Sequence, residues 1–296
     1  MAGTLTVTQA ACHIPELWGA DTRDAVEANV VAAGLVNTSY TKALVGGPGD
    51  TMNISYISNP SANTKSANTN ITLEVIGPSG AEASQPFTVG THQHVAFAVE
   101  NIVEVQSKTN LRAKYTSKGG YALAAAADTN LHTLPQNFSQ SVGTLGLEPT
   151  YDNWLRASQY LDDANCQEDG RFVIVRPATY YAMRKVEHFI NADYALAKLA
   201  VDRSKVGVLW GNVPVYKTTL VRAPAAGQAE NWYCHRDGVY YCSQDLKTRA
   251  DFVLERDADV VLMTHIYGYA EALQPPITAG GGAATDIFNV VLFGTS

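Results

Sequence analysis

The sequence has no run of lysine or arginine, and it is poor in charge of either sign. Only 17% of its 296 residues are charged, with a formal net charge of −7. An acidic chain without a basic stripe does not suit a protein that grips nucleic acid through its phosphates. The opening "MAGTLTVTQAACHIPELW" lacks the basic and apolar regions of a signal peptide. Apolar runs such as "YALAAAA" and "DVVLM" stop far short of the ~18 residues that span a membrane. The expectation is therefore a chain that folds in a cytoplasm. Cysteine is scarce too. Cys12, Cys166, Cys234 and Cys242 are scattered and form no CxxC pair, so reduced structural thiols are expected.

Catalytic signatures are equally thin. There is no GxxxxGK[ST] and no GxGxxG between a strand and a helix. "AGGGAAT" at 279–285 precedes a strand pattern rather than a helix, so it reads as a linker. No GxSxG elbow is present. Cys12 and His13 are chain neighbours, which is no catalytic geometry. Asp162-Asp163 and Asp257-x-Asp259 read as solvated residues of a helix end and a turn. Cys234-His235 with Cys242 matches no zinc spacing. His92 and His94 are the one constellation that keeps chemistry open. At i and i+2 on a strand they share a face and can act as two metal ligands, with His13, His132, His188, His235 or His265 as a third. HxH alone is weak, and no HExxH accompanies it. Interface histidines are the competing account of the pair.

What the sequence does have is a 46% hydrophobic composition, enough for a sizeable core. Globular proteins average about 25% charge, so the low charge suggests surface buried against a partner. Along the chain, "ADTRDAVEANVVAAGLVNTSYTKAL" predicts a short amphipathic helix, with Val26, Val30, Ala33 and Val36 or Asn37 on one face. "VGGPGD" ends it. Met52, Ile54 and Tyr56 alternate, and so do Ile71, Leu73 and Val75. Together they predict an extended hairpin with the polar tip "NPSANTKSANTN". Such a hairpin is marginal alone and needs another surface to rest on. "QPFTVGTHQHVAFAVE" predicts a further strand, with His92, His94 and Ala96 on one face and Val95, Phe97 and Val99 on the other.

A helix is predicted from about Lys108 to Leu131, roughly 35 Å long at ~1.5 Å per residue. It carries two adjacent stripes, Leu111, Tyr115, Ala122 and Ala126, and Leu123, Ala127 and Leu131. Gly119 and Gly120 invite a bend or a close contact. "PQNFSQSVGTLGLEPT" reads as a linker. A compact α/β unit is expected at about 150–222. It holds the helix "YDNWLRASQYLDDANC", the buried strand "GRFVIVRP", the helix "ATYYAMRKVEHFINA", a short helix in "ADYALAKLAVD", and two strands around Gly211. "WYCHRDGVYYC" predicts a hairpin around Asp237-Gly238. Two strands flank "ERDAD", and "IFNVVLFG" closes the chain.

This order of elements, with an arm and a hairpin that cannot stand alone, follows the logic of an assembly protein. Several segments carry a resemblance. "HIPELWGADTRDAVEANVVAAGLVN" and "GGPGDTMNISYIS" are two. "HVAFAVENIVEVQSKTNLRAKYTSKGGYALAAAADTNL" and "LDDANCQEDGRFVIVRPATYYAMRK" are two more. "GNVPVYKTT" and "IYGYAEALQPPI" complete the set. In this order, over nearly the whole chain, they resemble the major capsid proteins of tailed bacteriophages, those of the Hong Kong 97 type.

The resemblance implies an α+β, HK97-like fold. It implies an N-terminal arm at 1–48 and an extended E-loop at 49–91. The spine-helix P-domain would begin at 92–148, the compact A-domain would span 149–242, and P-domain return strands would fill 243–296. It implies hexamers and pentamers tiling an icosahedral virion head around double-stranded DNA, bound without sequence specificity. Assembly would occur in a bacterial host's cytoplasm, with separate scaffolding, portal and cement proteins, no membrane, no cofactor and no catalysis. The arm starts almost at Met1, so scaffolding is expected from a separate protein or not at all. Some family members crosslink through an E-loop lysine. Lys65 is the tip lysine here, and a solvated charge is its simpler reading. Trp18, Lys65, His92 and His94 are the expected assembly contacts, the histidines as sites where protonation tunes association. The alternatives are a metal-dependent enzyme built on His92 and His94, or a β-rich virion decoration or adhesin module.

Overall fold

The computed structural model describes residues 30–41, 51–56, 62–71, 73, 83–100, 111–186, 205–209, 213–243, 247–254, 257–273 and 287–296. Its centre is a six-stranded sheet of order β4-β12-β8-β5-β7-β6. The strands are β4 (Gln140–Val142), β5 (Arg171–Val175), β6 (Lys205–Leu209), β7 (Val213–Lys217), β8 (Ala229–His235) and β12 (Asn289–Gly294). Both faces of this sheet are covered, which is why β5 and β8 are buried along their whole length, β5 as a nearly continuous apolar run and β8 with Glu230, Asn231 and His235 among its buried residues. Alternation sorts their side chains. Phe172, Ile174, Trp232, Cys234 and Val291 join one cluster, and Val173, Val175, Tyr233, Val290 and Leu292 join the other.

The second cluster is closed by two helices, α3 (Tyr151–Asp163) and α4 (Pro177–Met183). In α3, Thr150 caps the N-terminus through its side chain, and Trp154, Ala157 and Leu161 are buried. Leu155, beside Trp154 in sequence, is exposed, because the helix touches the sheet along a narrow stripe. Pro177 occupies the first turn of α4, where a missing N–H costs nothing.

The first cluster is closed by α2 (Leu111–Leu131), the predicted long helix, about 31 Å at ~1.5 Å per residue. Of the two stripes expected on it, Leu123, Ala127 and Leu131 are buried, whereas Tyr115 is exposed. Gly119 makes the predicted close contact. A Cβ there would overlap Met263 Cε, whereas Gly120 has open space. Residues 101–110 lie outside the described part.

Against the N-terminal half of the same face of α2, around Gly119 and Leu123, lies a four-stranded sheet, β10-β11-β3 with β9 also on β11. Its strands are β3 (Thr91–Glu100), β9 (Val239–Ser243), β10 (Lys247–Val253) and β11 (Ala258–Glu271). β9 and β10 follow one another along the same side of β11, Ser243 opposite Tyr267 and Lys247 opposite Thr264. Val95 and Phe97 pack with Leu123, Val261 and Met263. A third, two-stranded sheet pairs β1 (Thr51–Tyr56) with β2 (Ala83–Thr88).

Several expectations are corrected. The partner of β1 is Ala83–Thr88, not the Ile71–Val75 run; Ile71 and Leu73 are in no strand and are exposed. Pro86 is tolerated in β2 because a two-stranded sheet is all edge. "QPFTVGTHQHVAFAVE" is two strands of different sheets, broken at Val89-Gly90. The hairpin does rest on its own chain. Ile54, Phe87 and Val89 pack with Tyr240, Cys242 and Ala272. β8 and β9 form no hairpin, because β8 is already flanked by β12 and β5; the chain crosses to the other sheet through Arg236–Gly238. The stretch read as a linker contributes β4, parallel to β12. The pairing also crosses the expected boundaries at 148 and 242. β4 and β12 belong to the sheet of β5 and β8, and β9 belongs to the sheet of β3. The predicted helix in 192–202 lies outside the described residues.

Candidate assembly surfaces

The N-terminal segment is held by one buried carboxylate. Asp128, on the core side of α2, has no solvent exposure. Its Oδ2 accepts from the Val31 N–H at 3.2 Å and its Oδ1 from the Ala33 N–H at 3.0 Å. These are the first amides of the short helix α1 (Ala32–Leu35), which have no partner within the helix. A carboxylate from elsewhere in the fold thus does the work of a capping residue. Ala32 and Val36 are then pressed into the first cluster beside Ala127 and Leu131. The buried row is Val31, Ala32 and Val36 rather than the expected Val30, Ala33 and Val36, because the carboxylate fixes the helix rotation. Past α1, Asn37 donates its N–H to the Val239 carbonyl and accepts from Tyr241, both at 3.0 Å. Tyr40 stands edge-on to Tyr240.

His132, one turn beyond Asp128, is also fully buried, with Nε2 3.5 Å from Asp128 Oδ2. Its ring meets Trp232 edge-on at 5.2 Å, and neither ring nitrogen has a hydrogen-bond partner. It is therefore packed as an aromatic body and not placed for proton transfer.

A second buried charge fixes the turn before β5. Arg171 donates to the Cys166 carbonyl at 2.6 Å and the Gln167 carbonyl at 2.9 Å, and pairs with Asp162 at 2.7 Å. Asp162 is thus not a merely solvated helix-end residue, as its sequence context suggested. Gly170, at φ +91°, lets the chain pass His235; a side chain there would meet the imidazole. Burial pushes the Cys166 thiol up to about 11 and raises Cys242 as well, which suits inert structural thiols.

Three of the four singled-out residues are among those described. Trp18 lies outside the described residues. Lys65 is exposed within 62–71. His92 and His94 are exposed on the outer face of β3, as the alternation predicted. Opposite them on β11 stand Ile266 and Thr264, so the neighbouring strand offers no third ligand. Among the described residues no three His, Cys, Asp or Glu side chains gather as a metal would require. His265 points to the other face, and burial lowers its pKa.

What the arrangement leaves open are surfaces. β1 and β2 cover the outer face of the four-stranded sheet only at its β9 end. At the other end Ala96 and Ala98 are exposed and Val260 and Leu262 half-buried. Sequence reasoning missed Asp128 and Arg171, since a lone acid in an Ala-rich helix and a lone Arg before a strand carry no motif.

No family model matches the chain, and no curated protein matches it. Solved structures do. A chain of Mycobacterium phage Che8 superimposes with a TM-score of 0.75 at 21% identity, over 94% of this chain and 96% of that one. A chain from the capsid structure of Cyanophage P-SCSP1u gives 0.71 at 13% identity, over 94% and 92%. A chain from the capsid of a native GTA particle gives 0.66 at 9% identity, over the full length of both. The mixed α/β fold described above is therefore shared with these chains over 94–100% of this sequence.

Proposed function

We propose that this chain is the major capsid protein of a tailed bacteriophage, joining copies of itself into hexamers and pentamers of a head that encloses double-stranded DNA. The observation that carries the reading is the fold likeness to capsid chains across 94–100% of the sequence. The extent matters, because the likeness is to nearly whole capsid chains and not to one local motif. In this reading 1–48 is the N-terminal arm, 49–91 the E-loop, 92–148 and 243–296 the P-domain, and 149–242 the A-domain. β4 and β12 would tie the two domains together by pairing in one sheet. The protein performs no catalysis. Its work is geometric, and its partners are further copies, a portal, a separate scaffolding protein where one is used and, on heads that carry one, a cement protein. It resides in the virion after assembly in the host cytoplasm.

The exposed stretch 62–71, with Ile71 and Leu73 open to water, favours this over a free-standing binding module. The test is expression of the full chain with and without its scaffolding partner, followed by size-exclusion chromatography and negative-stain microscopy. Capsomers, tubes or shells are expected. A chain that stays monomeric under every condition refutes the reading.

A further inference from the structure

β10 ends its sheet with one side unpaired. Among the described residues no strand pairs with it except β11. Such an edge is a template for another strand unless it is blunted. Thr248, Arg249, Ala250, Asp251 and Phe252 are all exposed. Read in both directions about Ala250, the segment is complementary to itself. An antiparallel copy puts Arg249 opposite Asp251 and Asp251 opposite Arg249, with Thr248 opposite Phe252 on both sides. Among the described residues neither Arg249 nor Asp251 has an ion-pair partner within its own chain.

We propose that β10 pairs with β10 of a second copy across a twofold axis at Ala250, so that two four-stranded sheets become one continuous sheet. One hydrogen bond supports the register. The Phe252 N–H donates to Asp251 Oδ1 at 2.9 Å, so this donor is held by a side chain at the strand itself. Phe252 then faces the free side, and the two-residue repeat puts Ala250 and Thr248 there with it. Ala250 with its copy becomes a hydrogen-bonded pair. Arg249 and Asp251 fall in the closer, non-hydrogen-bonded positions, where opposite charges interact best.

The same carboxylate explains how the edge stays unpaired in a single subunit. Asp251 occupies the Phe252 N–H until Arg249 of a second copy draws the carboxylate away and frees the donor for the partner's backbone. On the sheet, Arg249 and Asp251 stand opposite Leu262 and Val260, so each charge sits beside apolar neighbours that do not compete for it. A twofold pairing of one surface with itself is closed and does not propagate as a fibre. The inference rests on the shell reading for its setting, since many copies held at high local concentration keep so short a contact closed.

The test is cysteine crosslinking of the full chain. In the proposed register the two Ala250 Cα atoms lie ~5.5 Å apart, within disulfide reach. The two Thr248 Cα atoms lie roughly 14 Å apart, four residues at ~3.4 Å. Under mild oxidation Ala250→Cys should give a covalent dimer on non-reducing gels, in solution at high concentration and in shells. Thr248→Cys should stay at the wild-type level. In the Ala250→Cys background, Arg249→Asp should lower the dimer yield roughly tenfold, and Arg249→Asp with Asp251→Arg should restore it. An Ala250→Cys chain that crosslinks no better than wild type, or no better than Thr248→Cys, overturns the pairing. Shells seen by microscopy without that dimer refute the pairing and leave the capsid reading standing. Dimer formation by a chain that never forms shells does the reverse.

Discussion

Replacing Asp128 by alanine removes the side chain that caps α1, and the structure sets the size of the loss. Two backbone donors, at Val31 and Ala33, lose a carboxylate acceptor. A hydrogen bond to a charged group is worth ~1.5–3 kcal/mol, and a buried donor left without a partner costs about 1–3 kcal/mol. Val31 is buried and Ala33 partly so, which puts Asp128→Ala at about 3–5 kcal/mol if the segment stays in place. The segment has a way out, because residues 31–40 can lift from α2 and let water satisfy both amides. The loss is then limited to the burial of Val31, Ala32 and Val36, and it should be felt locally.

Asp128→Asn separates the two cases. Its carbonyl keeps the Ala33 bond, and its NH2 comes to stand near His132 Nε2 and against the Val31 N–H. One bond is lost, and the cost falls to about 1–3 kcal/mol. The assay is hydrogen exchange on the full chain combined with urea unfolding. Amides of 31–37 should lose protection in the order alanine, then asparagine, while β5 and β8 keep theirs. A change below about 1 kcal/mol for Asp128→Ala, with protection of 31–37 unaltered, would show that the apolar contacts hold the arm and the carboxylate does not.

Three further outcomes follow from single contacts. Gly119→Val should drive α2 away from Met263 and Val95 and lower stability by about 1–3 kcal/mol, whereas Gly120→Ala, facing open space, should be neutral or gain up to about 1 kcal/mol; thermal melts of the pair compare them directly. Arg171→Met strands the Cys166 and Gln167 carbonyls and should cost about 2–4 kcal/mol after allowance for the half-exposed Asp162, and Arg171→Lys should recover only part, because one ammonium cannot reach all three acceptors; the urea midpoint reports it. Burial lowers the His265 pKa, so the neutral ring is the form the fold favours. That contribution is complete above the ordinary histidine pKa of ~6.5 and is lost as pH falls below it toward the depressed value, so His265→Gln should show a smaller drop in Tm between pH 7 and pH 5 than the wild type.

The parts of the fold legible in the sequence were those whose burial is periodic. α2, α3 and β3 each carry a repeat that one neighbouring surface imposes, and the structure places Val95, Phe97 and Val99 on the face the alternation assigned. The misreadings share a cause. Two strands in sequence look like a hairpin whenever a turn joins them, and only the occupancy of β8 on both sides, by β12 and β5, forbids its pairing with β9. The partner of β1 was lost the same way. "ITLEVIG" alternates as well as "ASQPFT" does, and the choice between them is made by Phe87 finding Ile54 and Tyr240. Asp128 was illegible because its meaning lies 97 residues away, in the amides it receives.

The three sheets form a series of decreasing self-sufficiency. The six-stranded sheet has both faces covered by its own chain and holds Trp154, Trp232 and Tyr233 fully buried. Among the described residues the four-stranded sheet has one face on α2, and half of the other face and the β10 edge meet no further element. The two-stranded sheet pairs with no further strand among the described residues and leads toward an exposed stretch. Local stability should fall in that order, because each step removes burial and leaves backbone donors to water. A subunit built this way keeps its shape through the first sheet alone. On the proposed capsid reading it can then offer the other two to neighbouring copies without first unfolding anything. The prediction is a ranking. In the isolated chain, exchange should be slowest in β5 and β8, intermediate in β3 and β11, and fastest in β1 and β2. On assembly the protection gained should be largest in β1, β2 and β10 and negligible in β5. Equal gains across all three sheets would mean that the subunit folds as it assembles, and that no preformed centre exists.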